Sequence, residues 1–486
     1  MRRGSFHRWR VHVTSAFLFG SVVAAGEARS ALVRVPEQFP GIQAAINAAA
    51  NGDTVLVARG TWTGGLSIGG KAITLASRFI LTGDPNDVAL TLIEGGSPLL
   101  DIQSSAGAAT TIRGLTFRNG DYQINVHARR MSLLDNRFLN GSADQVSFEG
   151  GGGLVRNCYF ENASDDAIDS DNSSDPTIEH NTILDCGDDG IEIRLHAYTG
   201  STLDIVIRDN VITGCGEDGI QLIDYAGASN RMIRIERNVL AGNAKAALGC
   251  MADGNTTENY AGAPMVEEVR VIGNTFSGST HGLTGGDHML VMNNIFVGAT
   301  TFGVKRVAGS SLVTTNDFWG NATNHTGSNV DLGTTMFRDP MLDASLHLRT
   351  GSPCIDAGAA SVVWNGGTVS APAFSGAAPD LGALETGGPP LPVEPPSVVG
   401  GLELAGVWPN PSRSGFAITL TLADASPARL EVLDLAGRRL LTRDLERLGP
   451  GRHVVSLDEA HALPPGVYLL RLWQAGQTRS RRAVVR

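Results

Sequence analysis

The chain has 486 residues with 38 basic against 49 acidic side chains, a formal net charge of −11 that argues against nucleic acid as a partner. Its five cysteines, Cys158, Cys186, Cys215, Cys250 and Cys354, are odd in number and contain no C-x-x-C pair, which excludes a disulfide framework and a cysteine-held zinc as the basis of the fold. Aromatic residues make up 6% of the chain, which counts against a site built mainly on sugar-stacking rings.

At the N-terminus Arg2, Arg3, Arg8 and Arg10 precede an apolar run from Val11 to Ala25, the pattern of a secretory signal peptide over residues 1–30, with cleavage expected after Ala25 or Ser30. No later stretch is long and apolar enough to span a membrane. A short amphipathic helix is expected from Pro40 to Ala50, then an Asn51-Gly52-Asp53 turn into a strand from Thr54 to Ala58.

From Leu115 onward an asparagine-turn signature recurs. It reads LTFRNG at Leu115, NRFLNG at Asn136, NCYFEN at Asn157, NTILDC at Asn181, NVITGC at Asn210, NVLAGN at Asn238, NTFSGS at Asn274, NIFVGA at Asn294 and NDFWGN at Asn316. The starts lie 20 to 36 residues apart, the period of a stacked solenoid in which each repeat buries its apolar side against its neighbours. A second column follows each start, with DAIDS at Asp166, DGIEI at Asp189, DGIQL at Asp218 and HGLTG at His281. Its period-2 alternation turns Ile168, Ile191, Ile220, Leu248 and Leu283 inward and their successors outward. The predicted fold class is all-β: a parallel β-helix over residues 31–385, with Asn tolerating the left-handed turn and stacking its amides at about 4.8 Å per rung.

The spacing lengthens between Asn181 and Asn274, so extra loop bulges from those coils, as on the binding face of a solenoid. The same coils gather Asp165, Asp166, Asp169, Asp171, Asp185, Asp188, Asp189, Glu192, Glu217, Asp218 and Asp224. In register they give one outward column of Asp169, Glu192 and Gln221 and a second of Asp171, Arg194 and Ile223. Carboxylates one rung apart repel by several kcal/mol at an effective dielectric near ~20, so such a patch needs a cation, a shared proton or a basic partner. Calcium, which takes oxygen ligands with flexible geometry, is the expected cofactor, held by Asp169, Asp171, Glu192 and Asp218. An Asp-Gly turn is also a good turn in its own right, which is the structural account of each single acid. Lys245, in the column of Asp188 and Glu217, is either a base beside a metal or the salt-bridge end of the ladder. Cys186 and Cys215 are expected one rung apart, as buried apolar side chains or as a disulfide. Tyr198, Tyr225 and Tyr260 are the rings to inspect for stacking.

Residues 386–400, TGGPPLPVEPPSVVG, read as an extended Pro-rich linker. Beyond it FAITLTL, ARLEVLDL, HVVSL and VYLLRLWQ predict a small β-sandwich over residues 401–486.

On these motifs, and on FPGIQAAINAAANGDTVLVARGTW near the N-terminus, residues 31–385 resemble the right-handed parallel β-helix proteins of the pectin-lyase-like superfamily, in which the helix caps the open end of the stack and SPCIDAG at Ser352 with DLGALE at Asp380 marks the exit. That scaffold carries lyases, hydrolases, esterases, epimerases, tailspikes and adhesins, so it implies no single activity. CGDDGIEI at Cys186 resembles the GDDCIAI block of polygalacturonases, and SDDAID at Ser164 stands one coil earlier where they have NTDGID. The resemblance would make Asp166, Asp188 and Asp189 catalytic carboxylates of a glycoside hydrolase. The next coil reads GEDG at Gly216 where that block continues into GHG, and the departure puts the hydrolase in doubt. A polysaccharide lyase would instead use calcium with Lys245 or Arg194 as its basic group, and His196, Tyr198, Tyr225 and Gln221 are the candidate substrate contacts.

The tail, with WPNPSRSGFAITLTL, LEVLDLAGRRLL and LPPGVYLLRL, resembles the C-terminal sorting domain of type IX secretion cargo and the Ig-like domain of hook-capping proteins, and its place at the end of the chain favours the former. The expectation is a monomeric protein, secreted or displayed outside a Gram-negative-type cell, that cleaves or binds an acidic, uronate-containing polysaccharide. The alternative is a non-catalytic adhesin or stalk.

Overall fold

The computed structural model describes residues 30–262, 265–387 and, with short gaps, 402–485. The expected signal segment and Pro-rich linker lie outside the described residues except at their inner ends. Strands of three to six residues with alternate apolar side chains cannot bury that side alone, so each coil closes on the next through three parallel sheets. Among the described residues the first sheet has twelve strands, from Leu32–Val35 to Leu312–Thr314. The second and third have eleven each, running from Leu66–Ile68 to Thr323–Thr326 and from Gly60–Thr63 to Asp317–Trp319.

The inward column is as expected: Ile168, Ile191, Ile220, Leu248 and Leu283 pair rung to rung in the second sheet and are fully buried. Phenylalanines stack on the third sheet in two runs, Phe117–Phe138–Phe160 with ring centroids 5.3 and 4.6 Å apart and Phe276–Phe296–Phe318 at 4.7 and 4.9 Å.

The asparagine column is a buried hydrogen-bonded ladder. From Asn181 through Asn210, Asn238, Asn274 and Asn294 to Asn316, each Nδ2 donates to the next Oδ1 at 2.9 to 3.0 Å. Each Nδ2 also donates to a backbone carbonyl of the preceding coil, so no amide atom is wasted in the core. Two points differ from the expectation. The left-handed backbone belongs to the residue before each ladder position, as at Asp135, His180, Asp209 and Arg237, and not to the ladder asparagine itself. And Asn157 is one of those left-handed residues (φ 55°), while Cys158 fills the ladder position, its N–H donating to Asn181 Oδ1 at 2.9 Å and its thiol to the Leu133 carbonyl.

The N-terminal helix spans Ile42–Ala48 and lays Ile42, Ala45 and Ile46 on the end of the core. Its last carbonyls are tied by Lys71, whose Nζ donates to Ile46, Asn47 and Ala49 at 3.0, 3.1 and 2.8 Å. All five cysteines are free and buried, so Cys186 and Cys215 are core side chains without a disulfide. After the last coils an antiparallel hairpin, Ser361–Trp364 with Gly367–Ser370, packs on Ile272, Leu290 and Met292.

The tail forms two antiparallel sheets around one core. Glu403–Trp408, Phe416–Leu422 and Gly451–Leu457 face Ala428–Leu433, Arg439–Asp444, Gly466–Gln474 and Gln477–Val485, with Ile418, Leu430, Val432, Leu470 and Leu472 between them. This is the predicted sandwich. Among the described residues no helix is long and apolar enough to cross a membrane.

Candidate functional site

The second sheet carries the acids, in three columns set by register. The outward column runs Asp101, Asn125, Ser147, Asp169, Glu192, Gln221, Gly249, Thr284 and Lys305. Three residues before it, at the mouth of each strand, stand Tyr122, Asp144, Asp166, Asp189 and Asp218. One residue further back stand Asp165, Asp188, Glu217 and Lys245.

The strand-mouth column is a hydrogen-bonded ladder of its own. Asp144 accepts the N–H of Asp166 at 3.3 Å, Asp166 that of Asp189 at 2.8 Å, Asp189 that of Asp218 at 2.6 Å, and Asp218 that of Ala246 at 2.6 Å. Each carboxylate thus caps the turn of the next coil, which is the turn chemistry of Asp. The ladder is also buried: Asp166 is 5% exposed, Asp189 1% and Asp218 0%. Burial, reinforced by the neighbouring acids, holds Asp166 and Asp189 well above the ordinary carboxylate range and pushes Asp144 and Asp218 each up to about 7.

Beside this ladder Asp166, Asp169 and Glu192 bring one carboxylate oxygen each within 4.8 Å of one another. The outward residues are not open to solvent as their alternation suggests: Asp169 is 6% exposed and Glu192 4%. Arg194 lies over them, with Nε 2.5 Å from Glu192 Oε1, 3.7 Å from Asp171 Oδ1 and 3.9 Å from Asp169 Oδ1. Asp169 Oδ1 is buried without a hydrogen-bond partner. Burial, then the Asp171 charge, pushes the Asp169 carboxyl up to about 9, and burial raises Glu192 against the pull of Arg194.

His196 flanks the cluster. Its Nδ1 accepts the N–H of Asn172 at 3.2 Å and lies 3.7 Å from Asp171 Oδ1, and its ring rests on Tyr225 with centroids 4.2 Å apart. Tyr198 is half-buried, its backbone N–H donating to the Ala228 carbonyl.

A second acidic group, Asp188, Glu217 and Glu258, is half-buried and also within 4.8 Å. Lys245 is locked into it, with Nζ 2.5 Å from Glu217 Oε1 and paired with Glu258. Burial works against the ammonium charge, yet the two carboxylates raise its pKa above the ordinary value, so Lys245 is the salt-bridge end of the ladder and holds its proton. Gln221 is 1% exposed and donates to Glu258 Oε1 at 3.1 Å, which leaves it roofed rather than presented to a ligand. Asp218 is not gathered with Asp169, Asp171 and Glu192: the Tyr260 hydroxyl donates to its Oδ1 at 2.5 Å and covers it. Tyr260 itself is 5% exposed and offers no stacking face.

Three residues of the site were not among the sequence candidates, Asp144 of the ladder, Tyr122 and Glu258. Tyr122 is 40% exposed at the head of the strand-mouth column, where Asp144 first, then burial and Asp165, raise its pKa. Its signal was its place in register with Asp144 and Asp166. Glu258 lies in the insertion between the strands Ala246–Met251 and Glu268–Ile272, where no periodicity announces it.

Residues 101–261 match the family model described as right handed beta helix region, and residues 406–486 match that of a secretion system C-terminal sorting domain. The chain is a right-handed parallel β-helix with a secretion-sorting tail. The tail marks it for export. No curated protein matches the sequence. Among solved structures, it is similar to a PL6 family alginate lyase at 16% identity and TM-score 0.36, over 63% of this chain and 50% of that one. It is similar to a GH87 alpha-1,3-glucanase from Streptomyces thermodiastaticus at 15% and 0.36, over 66% and 69%, and to a family 28 exopolygalacturonase of Yersinia enterocolitica at 11% and 0.29, over 64% and 80%. The chain thus spans half the length of the alginate lyase, and similarity at this level says nothing of activity.

Proposed function

We propose that this exported protein binds an acidic, uronate-containing polysaccharide on the outward face of its second sheet, at the cluster of Asp166, Asp169 and Glu192. The observation that carries this reading is a buried group of three carboxyls, each with one oxygen within 4.8 Å of the others, in which Asp169 Oδ1 has no hydrogen-bond partner. That donor set suits a hard cation such as calcium, with Asp166, Asp169 and Glu192 as its protein ligands and Asp171 at the edge. Calcium there would neutralise the cluster and attract the carboxylates of a glycan that a chain of net charge −11 otherwise repels. The His196–Tyr225 pair supplies a ring face beside Asp171, and Arg194 holds the Glu192 carboxyl in place. Export by the type IX route, to the medium or the outer surface of a Gram-negative-type cell, fits the sorting tail.

Hydrolysis is the second reading, favoured by one feature. Asp169, pushed up to about 9, holds its proton beside Glu192, whose carboxyl burial also raises while Arg194 pulls it back, and a proton donor beside a second carboxyl group is the pairing that glycoside hydrolysis uses. Elimination with Lys245 as base has no such support, because that ammonium is held by two carboxylates. His196 cannot serve through Nδ1, which accepts a backbone N–H, so its other nitrogen carries the ring proton in the neutral form.

The test uses the full chain with pectate, alginate and glycosaminoglycans, with calcium and with chelator, following equilibrium binding, reducing ends and unsaturated uronide absorbance together. Binding that needs calcium and is lost in Asp169→Asn and Glu192→Gln is the expected result. Reducing ends without absorbance would add the hydrolase, binding with no product would leave a glycan-binding protein, and no binding to any acidic glycan would overturn the proposal.

A further inference from the structure

Between the strands Ala246–Met251 and Glu268–Ile272 the chain leaves the coil and returns across the outward face of the second sheet. Residues 252–262 lie over it. Tyr260 packs on Ile223, Ala246 and Met251, reaching back to Asp218 with its hydroxyl and forward to His281, whose ring stands edge-on at 5.3 Å. Glu258 takes the amide of Gln221 and the ammonium of Lys245. From the far side Arg306 Nη1 donates to the Tyr260 carbonyl at 2.7 Å.

The outward column makes room for this crossing at one position. Gly249 is its glycine, and a Cβ there would stand 1.9 Å from Asp218 Oδ2 and 2.9 Å from Tyr260 Cε1. The crossing is therefore built into the rung beneath it, and it is held from both sides. Toward the N-terminus, beyond the roofed Gln221, the face continues through Glu192, Asp169, Ser147, Asn125 and Asp101, about 19 Å at roughly 4.8 Å per rung. Toward the C-terminus the next outward residues are Thr284 and Lys305. A linear polymer lying along the N-terminal stretch meets Glu258 and Tyr260 one rung past Glu192.

We infer that residues 252–262 are a fixed stop across the glycan path, so that the Asp169–Glu192 cluster takes the end of a polysaccharide chain and not its interior. The inference rests on the glycan-binding reading above and adds the form in which the polymer is recognised. The stop is a consequence of Gly249, the Tyr260–Asp218 bond and the Lys245–Glu258 pair acting together.

The experiment measures affinity of the full chain, in calcium, for fractions of polygalacturonate and of alginate about 10 and about 100 sugars long, expressed per sugar residue. A site for ends sees their number, so the shorter fraction should bind about tenfold more tightly on that scale. In a chain with residues 252–262 replaced by a short Gly-Ser link, and in the milder Glu258→Ala, the dependence on length should fall, with thermal melting as a check on folding. Equal affinity per sugar at both lengths for the unaltered protein would overturn the stop while leaving glycan binding intact. Absence of binding at either length would overturn both.

Discussion

The two stretches of the second sheet on either side of residues 252–262 share strands, register and an outward column, yet their chemistry is opposite. On the N-terminal side the column holds Asp169 and Glu192 among further carboxylates, and the cations Arg194 and Lys245 are both committed to them. On the C-terminal side stand His281, Thr284, Lys305 and Arg306, and no carboxylate pairs with any of them among the described residues. Burial and then the Lys305 charge push the His281 imidazole down to about 4, so it is neutral, with Nδ1 buried and unpartnered. Lys305 is lowered by burial and by Arg306, and lies over the Phe302 ring at 5.3 Å. One scaffold thus supports a buried acid cluster and, three rungs on from Glu192, a basic group with no carboxylate partner among the described residues, because the strand pairing is made by backbone and inward side chains and leaves the outward column free to vary.

The largest effect should come from removing the cation that the acid side depends on. Arg194→Ala leaves Asp169, Asp171 and Glu192 buried without their guanidinium and should cost roughly 3 kcal/mol in urea unfolding under chelator. If calcium binds the cluster, adding it should restore much of that loss. An unchanged unfolding midpoint would mean that shared protons alone hold the acids.

The pH dependence of the two sides should have opposite sign. Asp144 and Asp218, each near 7, and Asp169, near 9, sit above their unfolded values. Protons are bound more tightly in the folded state, so this stability is complete below about pH 4 and is lost as pH rises through about 7 to 9. His281 is depressed, so its contribution is complete above about pH 6.5 and is lost as pH falls toward 4. Melting temperature against pH in chelator should show both slopes. Asp169→Asn should flatten the alkaline one and His281→Gln the acidic one, and a single slope common to both variants would break the comparison.

Smaller effects should follow at the crossing and beyond it. Tyr260→Phe removes the donor to Asp218 and should cost about 1 kcal/mol in the same unfolding assay. Lys305→Ala, with no carboxylate partner to lose, should stay within about 0.5 kcal/mol. A larger loss at Lys305 would show that the far side is held by charge after all.

The coil architecture was legible because its signals are periodic. Inward aliphatics at period 2 and asparagines every 20 to 36 residues fixed the solenoid, the outward register of Asp169 with Glu192, and the sandwich beyond the linker. The alignment slipped by one residue at Asn157, since an asparagine beside the ladder position looks the same in sequence as one within it, and Cys158 carries no amide to mark the place. The site was legible only in part. Asp169 and Glu192 stand in register as read, but the approach of Asp166 and Arg194 to them, and their burial, did not follow from alternation, which gives direction and not cover. What covers Gln221 and Asp218 comes from Glu258 and Tyr260 in an aperiodic insertion, whose path depends on tertiary contacts that no local pattern encodes. The role of Gly249 is equally silent in sequence: a missing side chain has no period.

The small helix Ile42–Ala48 has a further consequence. A parallel β-helix ends in exposed strand edges and an open apolar core, which is the surface on which another chain could continue the stack. With Ile42, Ala45 and Ile46 seated on that end and Lys71 pinning the helix by three carbonyls, the apolar core is covered there. Seven residues and one distant lysine thereby place a plug where a further coil would otherwise stack.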